Sequence, residues 1–133
     1  YPIKDTSAAM ATQIRDAMPS PDGKKLAFTV LNRLYVMDYP NGTPKRLTSN
    51  EYTEAQPTWS PDGKTIVFST WNEGGGSIYT VSADGSGLKA MTKIPGLYQS
   101  MRFSADGKKI IFASNRNNKG TRDTNLFVAD WVY

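Results

Sequence analysis

Few side chains in this sequence are equipped for chemistry. Its 133 residues contain neither cysteine nor histidine. That excludes thiol nucleophiles, disulfides, Ser-His-Asp and Cys-His arrangements, and the usual zinc sets of Cys and His. Asp, Glu, Lys, Ser, Thr and Tyr remain. Acid–base work by two carboxylates needs them close together with displaced pKa values. Glu51 and Glu54 come nearest to this, but they flank a loop with no evident pairing. Gly74-Gly75-Gly76 has the glycines of a phosphate cradle without the Lys-Ser/Thr and helix that such a loop requires, so it reads as a flexible hairpin tip. The Asp-Gly pairs at 22–23, 62–63 and 106–107 lack the D-x-D-x-D spacing and distal Glu of a calcium loop and read as turns. The expectation is no catalytic residue, no cofactor and no metal ligand.

Sixteen Lys and Arg against twelve Asp and Glu leave a net charge of +4. The basic residues recur at regular places: Lys24, Lys25, Lys64, Lys108 and Lys109 in turns, and Lys45, Arg46 and Lys89 further along. Charge spread in this way suits solubility and edge protection better than one nucleic-acid stripe, so no nucleic acid is expected. Arg116, Lys119 and Arg122 form the one local cluster, suited either to an acidic partner or to a solvated loop. Asn41-Gly42-Thr43 is formally a glycosylation sequon, disfavoured by Pro44. No apolar run approaches the ~18 residues of a membrane span.

What must position any site is a repeat. Ser20-Pro21-Asp22-Gly23 returns as Ser60-Pro61-Asp62-Gly63 and, altered, as Ser104-Ala105-Asp106-Gly107, with 40 and 44 residues between successive Asp residues. Each turn leads into a β-rich run carrying Phe28, Phe68 or Phe112. A second run follows: Leu34-Tyr35-Val36, Ile78-Tyr79-Thr80 and Leu126-Phe127-Val128. A third, at Lys45 to Thr48 and Lys89 to Thr92, is polar around one apolar residue. Asp-Gly supplies positive-φ positions for a hairpin turn, and the first of the four strands is placed at Pro57 to Ser60 in the second unit. β-Branched and aromatic runs make the two middle strands, and the charged run makes an exposed edge. Four short strands in about 42 residues constitute a β-propeller blade. The expected fold is all-β, a β-propeller of four-stranded antiparallel blades. There are three blades per chain, over residues 17–49, 50–93 and 94–133, after an N-terminal segment 1–16.

Ser-Pro-Asp-Gly-Lys followed by Ile-x-Phe, Ile-Tyr and Leu-Thr resembles the TolB-type propeller repeat, and the resemblance covers nearly the whole chain from Ala17 onward. Residues 17–112 are most similar to propeller modules fused to bacterial amidohydrolases. The ending from Ser114 to Trp131 is more similar to free-standing secreted propellers of the same superfamily. Pro19 departs from the aromatic found at Trp59 and Phe103, and Ala105 departs from the turn proline. The resemblance implies six blades, a periplasmic or extracellular bacterial location, and no catalytic role for these residues. If the chain is an accessory module of a hydrolase, the metal-binding residues of that enzyme lie outside it.

Three blades do not close a ring, since propellers use about four to eight. The third unit lacks an outer strand in the sequence. From the second-run aromatic to the next turn Asp is 27 residues within the chain; from Phe127 through the C-terminus and on to Asp22 of another copy is 28. The spacing predicts that residues 1 to about 8 complete a neighbour's third blade. Tyr1, Pro2, Ile3, Phe127, Trp131 and Tyr133 would then lie at the chain–chain seam. Two chains would make a six-bladed ring, and an open exchange would make a filament. A fragment of a longer propeller is the alternative. If each open blade face buried ~500 Å² of apolar surface at ~25 cal/mol per Å², the gain would be ~12 kcal/mol before association costs.

A ligand or partner would meet the loop rim, where Arg15, Asp16, Glu54, Gln56, Trp71, Tyr98, Gln99, Arg116 and Arg122 are expected. A peptide, a glycan or another protein would suit such a rim, and so would plain solvation.

Overall fold

The computed structural model describes residues 14–48, 53–72, 75–92, 98–114 and 125–131, and every regular element among them is a strand. In the first sheet β1 (Ile14–Pro19), β2 (Lys25–Val30), β3 (Arg33–Asp38) and β4 (Lys45–Arg46) pair in that order. The second sheet contains β5 (Thr53–Trp59), β6 (Thr65–Asn72), β7 (Gly75–Ser82) and β8 (Lys89–Ala90) in the same sequential order. In the third, β9 (Tyr98–Phe103), β10 (Lys109–Ser114) and β11 (Asn125–Asp130) make three strands among the described residues. Each pairing is antiparallel. The repeat units of the sequence are therefore sheets, and each is a propeller-type blade. The inner strands are longer than the sequence indicates. β5 starts at Thr53 rather than Pro57, and β1 starts at Ile14, inside the segment assigned to residues 1–16.

The turn joining the first two strands of each blade has one positive-φ residue, not two. Gly23, Gly63 and Gly107 have φ near +72°, +73° and +71°, and their N–H groups donate to Ser20, Ser60 and Ser104 carbonyls at 2.9 Å. The Asp contributes its side chain instead. Asp22 Oδ1 accepts from Ser20 Oγ at 2.7 Å and from Lys24 N–H at 2.9 Å, and Ser20 Oγ accepts from Lys25 N–H at 3.0 Å. The other two turns repeat these bonds. A turn in which the second residue needs only an ordinary negative φ tolerates Ala105 in place of proline. The β2–β3 hairpin is different: Leu31 and Asn32 both have positive φ, +51° and +63°, as a two-residue type I′ connection demands.

Blades pack face to face through two apolar clusters. Ala27, Leu34, Val36 and Leu47 of the first blade meet Trp59, Ile66, Phe68 and Val81 of the second. Val67 and Ile78 of the second meet Tyr98, Met101, Ile110 and Phe112 of the third. Alternation along each strand sends one set of side chains forward to the next blade and the other set back. The recurrent Phe stacks on the aromatic opposite it in register, Phe28 on Tyr35, Phe68 on Tyr79 and Phe112 on Phe127, with centroids 5.9, 6.1 and 5.7 Å apart. Trp59 Nε1 donates to the Met18 carbonyl at 2.8 Å, tying the second blade to the first.

Candidate functional site

Six of the expected rim residues lie on the first strand of a blade. Arg15 and Asp16 lie in β1, Glu54 and Gln56 in β5, and Tyr98 and Gln99 in β9, while Trp71 lies opposite Thr53 near the end of β6. Arg116 and Arg122 lie outside the described residues, as do Tyr1, Pro2, Ile3, Tyr133, Glu51 and Gly74.

Each inner strand carries a bulge at the same repeat position. Asp16-Ala17 stand opposite Phe28, Gln56-Pro57 opposite Phe68, and Ser100-Met101 opposite Phe112. The first residue of each pair is left-handed, with φ of +55°, +55° and +58°. A bulge strengthens twist and re-aims the chain, and here it turns backbone groups toward the neighbouring blade. Gln56 N–H donates to Asp16 Oδ2 at 3.3 Å, and Ser100 N–H donates to Gln56 Oε1 at 2.8 Å. Thr29 and Ser69 hydroxyls hold the bulges from behind, donating to the Arg15 and Ala55 carbonyls at 3.3 and 3.1 Å. These bonds surround a cavity of about 190 Å³ bordered by Asp16, Ala17, Met18, Gln56, Pro57, Thr58, Ser100 and Arg102. Sequence reasoning did not find this ring, because Asp, Gln and Ser do not announce a left-handed backbone as glycine does. The signal available was their spacing of 40 and 44 residues, in step with the turns.

Two of the expected rim residues are interior. Glu54 is fully buried: its Oε1 accepts from Leu34 N–H of the first blade at 2.8 Å, its Oε2 accepts from the Thr48 hydroxyl, and its own N–H donates to the Asn32 carbonyl at 3.0 Å. It is a strut between blades, not a group offered to a ligand. Tyr98 occupies the same repeat position one blade on, also buried, with its ring 5.6 Å from Phe112. With no carboxylate there, the Thr92 hydroxyl itself receives Ile78 N–H at 3.1 Å. Arg15 and Asp16 are exposed, Gln56 is half-buried, and Trp71 is half exposed above a shallow pocket of about 150 Å³ shared with Thr53, Gln56 and Tyr98.

At the expected seam, Phe127 and Trp131 turn inward. Both pack against the cluster between the second and third blades, and Trp131 meets Phe103 edge-on at 4.9 Å. The large apolar residues of β11 that face water are Leu126 and Val128, 76% and 60% exposed.

Electrostatics follow the repeat. Ser20, Ser60 and Ser104 hydroxyls, with the backbone N–H groups of Lys24, Lys64 and Lys108, hold Asp22, Asp62 and Asp106 below the usual carboxylate range. Ser86 does the same for Asp84. Lys25–Asp38 and Lys109–Asp130 are ion pairs at 2.6 Å, both well exposed and so of small energetic weight. Among the described residues no three acidic side chains gather to hold a metal ion, and no helix is long and apolar enough to cross a membrane.

Residues 16–131 match the family described as the tricorn protease N-terminal beta propeller domain. The Tol-Pal system protein TolB of Francisella tularensis is 32% identical over 117 residues, covering 78% of this chain and 26% of that protein. Dipeptidyl-peptidase 5 of Porphyromonas endodontalis is 27% identical over 106 residues, covering 72% of this chain and 15% of the relative. Among solved structures, TolB from Acinetobacter baumannii superposes with a TM-score of 0.73 at 29% identity, over 89% of this chain and 30% of that one. The chain thus spans about a third or less of the length of these relatives.

Proposed function

The chain belongs to the tricorn protease N-terminal β-propeller family, and from that premise we propose that it is a non-catalytic, TolB-like propeller unit. In this reading it assembles head to tail with copies of itself and serves as a structural scaffold, with its loop rim available to other proteins. The observation that carries the reading is the repeat of the blade pattern. In the first two blades β3 and β7 each receive an outer strand, through Tyr35↔Arg46 with Val36↔Lys45 and through Tyr79↔Ala90 with Thr80↔Lys89. In the third, Phe127 and Val128 stand at those places, and the described sheet has three strands. A fourth strand at that position would complete the third blade on the pattern of the first two. The repeat spacing supports residues 1 to about 8 of a neighbouring copy as its source, giving a six-bladed ring of two chains or an open filament. Likeness to TolB supports a periplasmic or extracellular location. The absence of Cys and His from the sequence supports the non-catalytic reading.

A second reading is favoured by the match to dipeptidyl-peptidase 5: an accessory propeller module of a larger hydrolase, here suggested by a peptidase rather than by the amidohydrolases that the sequence resembles. Mass in solution, with and without residues 1–8, separates the two. A discrete assembly that falls apart on deletion supports the first, and indefinite growth supports its filament form. A well-behaved monomer indifferent to the deletion overturns strand exchange. Hydrolytic activity by the purified chain overturns the non-catalytic assignment.

A further inference from the structure

Trp71 holds an indole at the rim, 50% exposed, near the end of β6. It stands opposite Thr53 of β5 and opposite Gly76 of β7. Residues opposed across an antiparallel pair share a face, as do alternate residues along a strand. Val67, Ser69 and Trp71 therefore form one row, flanked by Ala55 and Thr53 on one side and by Ile78 and Gly76 on the other. Val67 and Ile78, deeper in that face, are covered by the third blade. Trp71 stands beyond the cover, and the glycine opposite brings no side chain to lay against the indole. The first blade has no counterpart. At the same repeat position its chain turns, at Leu31 and Asn32, whereas β6 runs on as strand to Asn72.

A single exposed aromatic is ordinary surface, but this one overhangs a pocket. The pocket, about 150 Å³, is bordered by Thr53, Gln56, Ser69, Thr70 and Trp71 of the second blade and by Tyr98 of the third. No Asp, Glu, Lys or Arg is among the described residues that border it. Glu54, next to Thr53 in sequence, is turned to the first blade, where the Leu34 N–H and the Thr48 hydroxyl hold it. A charged ligand would therefore lose its hydration without gaining a countercharge. The polar groups that remain are neutral and of both senses. Ser69 Oγ gives its proton to the Ala55 carbonyl at 3.1 Å, which leaves it as an acceptor. Gln56 Oε1 receives the Ser100 N–H at 2.8 Å, which fixes the amide and leaves its Nε2 hydrogens to donate. A wholly apolar guest would cover both groups without a partner. The matching guest is neutral, has an apolar face for the indole, and carries groups around its edge that both donate and accept. A pyranose has this chemistry, with C–H bonds on its faces and hydroxyls at its rim. We infer that Trp71 and this pocket form a subsite for one neutral pyranose residue of a glycan, stacked on the indole, with its hydroxyls served by Gln56, Ser69 and Thr53. The volume is about half the ~300 Å³ at which pockets begin to enclose a drug-sized ligand, so the site takes one ring and leaves the rest of the glycan on the rim.

The site belongs to the second blade and its junction with the third, so it stands whether or not the chain self-assembles. The purified chain is titrated with three uncharged sugars, chitotetraose, cellotetraose and maltotetraose, by isothermal titration calorimetry. Saturation-transfer NMR reads contact at the sugar ring protons. At least one sugar is expected to bind with a Kd of about 1 mM or tighter. Trp71→Ala is expected to weaken that binding about 10-fold or more, and Trp71→Tyr to keep most of it. Thr53→Val, which removes a hydroxyl with little change of shape, is expected to weaken it about 3-fold. Tyr39→Ala is the control, because Tyr39 is also an exposed aromatic but sits beside the Lys24 turn of the first blade; it is expected to bind like the parent. Circular dichroism melting monitors folding. Should Trp71→Ala fail to fold, acrylamide quenching of the parent's tryptophan fluorescence supplies a second readout, expected to fall when sugar covers the exposed indole. No binding of any of the three at about 5 mM, or binding that Trp71→Ala leaves intact, overturns the subsite. So does a pocket that takes the uncharged peptide acetyl-Leu-Phe-amide through Trp71 and none of the sugars, an outcome that assigns it to a protein partner.

Discussion

Glu54 offers the sharpest test of how the blades are joined, because its sequence position suggests a rim group and its surroundings make it a strut. Its carboxyl receives the Leu34 N–H and the Thr48 hydroxyl in a site with no solvent exposure. Glu54→Ala leaves two buried donors without that acceptor, each costing about 1–3 kcal/mol if nothing replaces it. The second junction shows what can replace it: there Thr92 Oγ1 receives the Ile78 N–H directly. If Thr48 swings to Leu34 in the same way, one deficit is relieved, and about 2–4 kcal/mol remains from the other donor and the void. For a domain of this size that lowers the melting temperature by roughly 8–16 °C. Glu54→Gln keeps one acceptor oxygen for Leu34 and turns its amide toward the Thr48 oxygen, so its loss is about 1 kcal/mol. The assay is thermal unfolding at fixed protein concentration, since assembly shifts apparent stability by mass action. Pairing Glu54→Ala with Thr48→Ala in a double-mutant cycle is expected to show coupling of about 1 kcal/mol. A Glu54→Ala protein that melts within about 2 °C of the parent refutes the strut and returns Glu54 to the rim.

Three further outcomes follow from the same geometry. Trp59→Phe removes the indole bond to the Met18 carbonyl while keeping most of the buried ring, and is expected to cost about 1–2 kcal/mol in urea unfolding; no change would show that the bond adds nothing. Leu31→Asn relieves a left-handed leucine that is 73% exposed at a type I′ turn, and is expected to raise stability by about 1 kcal/mol, with a loss counting against the turn assignment. Asp22, Asp62 and Asp106 titrate lower folded than unfolded, so their contribution is complete above pH about 4 and drains away as pH falls through the folded values. Replacing all three with Asn is expected to flatten the loss of stability below about pH 4, and an unchanged acid transition would contradict the turn bonding.

The repeat was legible in the sequence because each blade spends its most distinctive residues on local structure. Ser-x-Asp-Gly can close the turn between the first two strands by itself, and the paired aromatics stack across the hairpin that follows. The inner strands were harder to read. β1 and β5 carry Arg, Asp, Glu and Gln, which suggest a loop, yet in the fold those polar groups satisfy bulge and inter-blade N–H groups. Glu54 was placed on the rim for that reason: its partners, Leu34 and Thr48, lie in the preceding unit, and periodicity within one unit cannot reveal them. At the end of the third blade, neighbours on β11 take opposite faces, as strand alternation requires. Which face packs inward depends on where the second blade lies, so spacing alone could name Phe127 and Trp131 for a seam but could not show that both pack against the cluster between the second and third blades while Leu126 and Val128 are exposed.

The bulge ring gives the propeller a second system of order besides its apolar junctions. Side chains at 16 and 56 each reach the next blade's left-handed residue, so blade spacing is fixed at the inner edge by hydrogen bonds and farther out by packing. Left-handed non-glycine residues are costly unless the surroundings over-determine them, and here three equivalent positions share one arrangement.

The central claim is that this three-blade unit is completed by a copy of itself. Small-angle X-ray scattering on the chromatographically separated protein tests it most directly, because mass and shape are read from one sample. The account predicts a particle of twice the 14.7 kDa chain mass with the single-peaked distance distribution of a closed disc, or for the filament form a rod-like profile that lengthens with concentration. A concentration-independent particle of one chain mass, shaped as an open half ring, would contradict it.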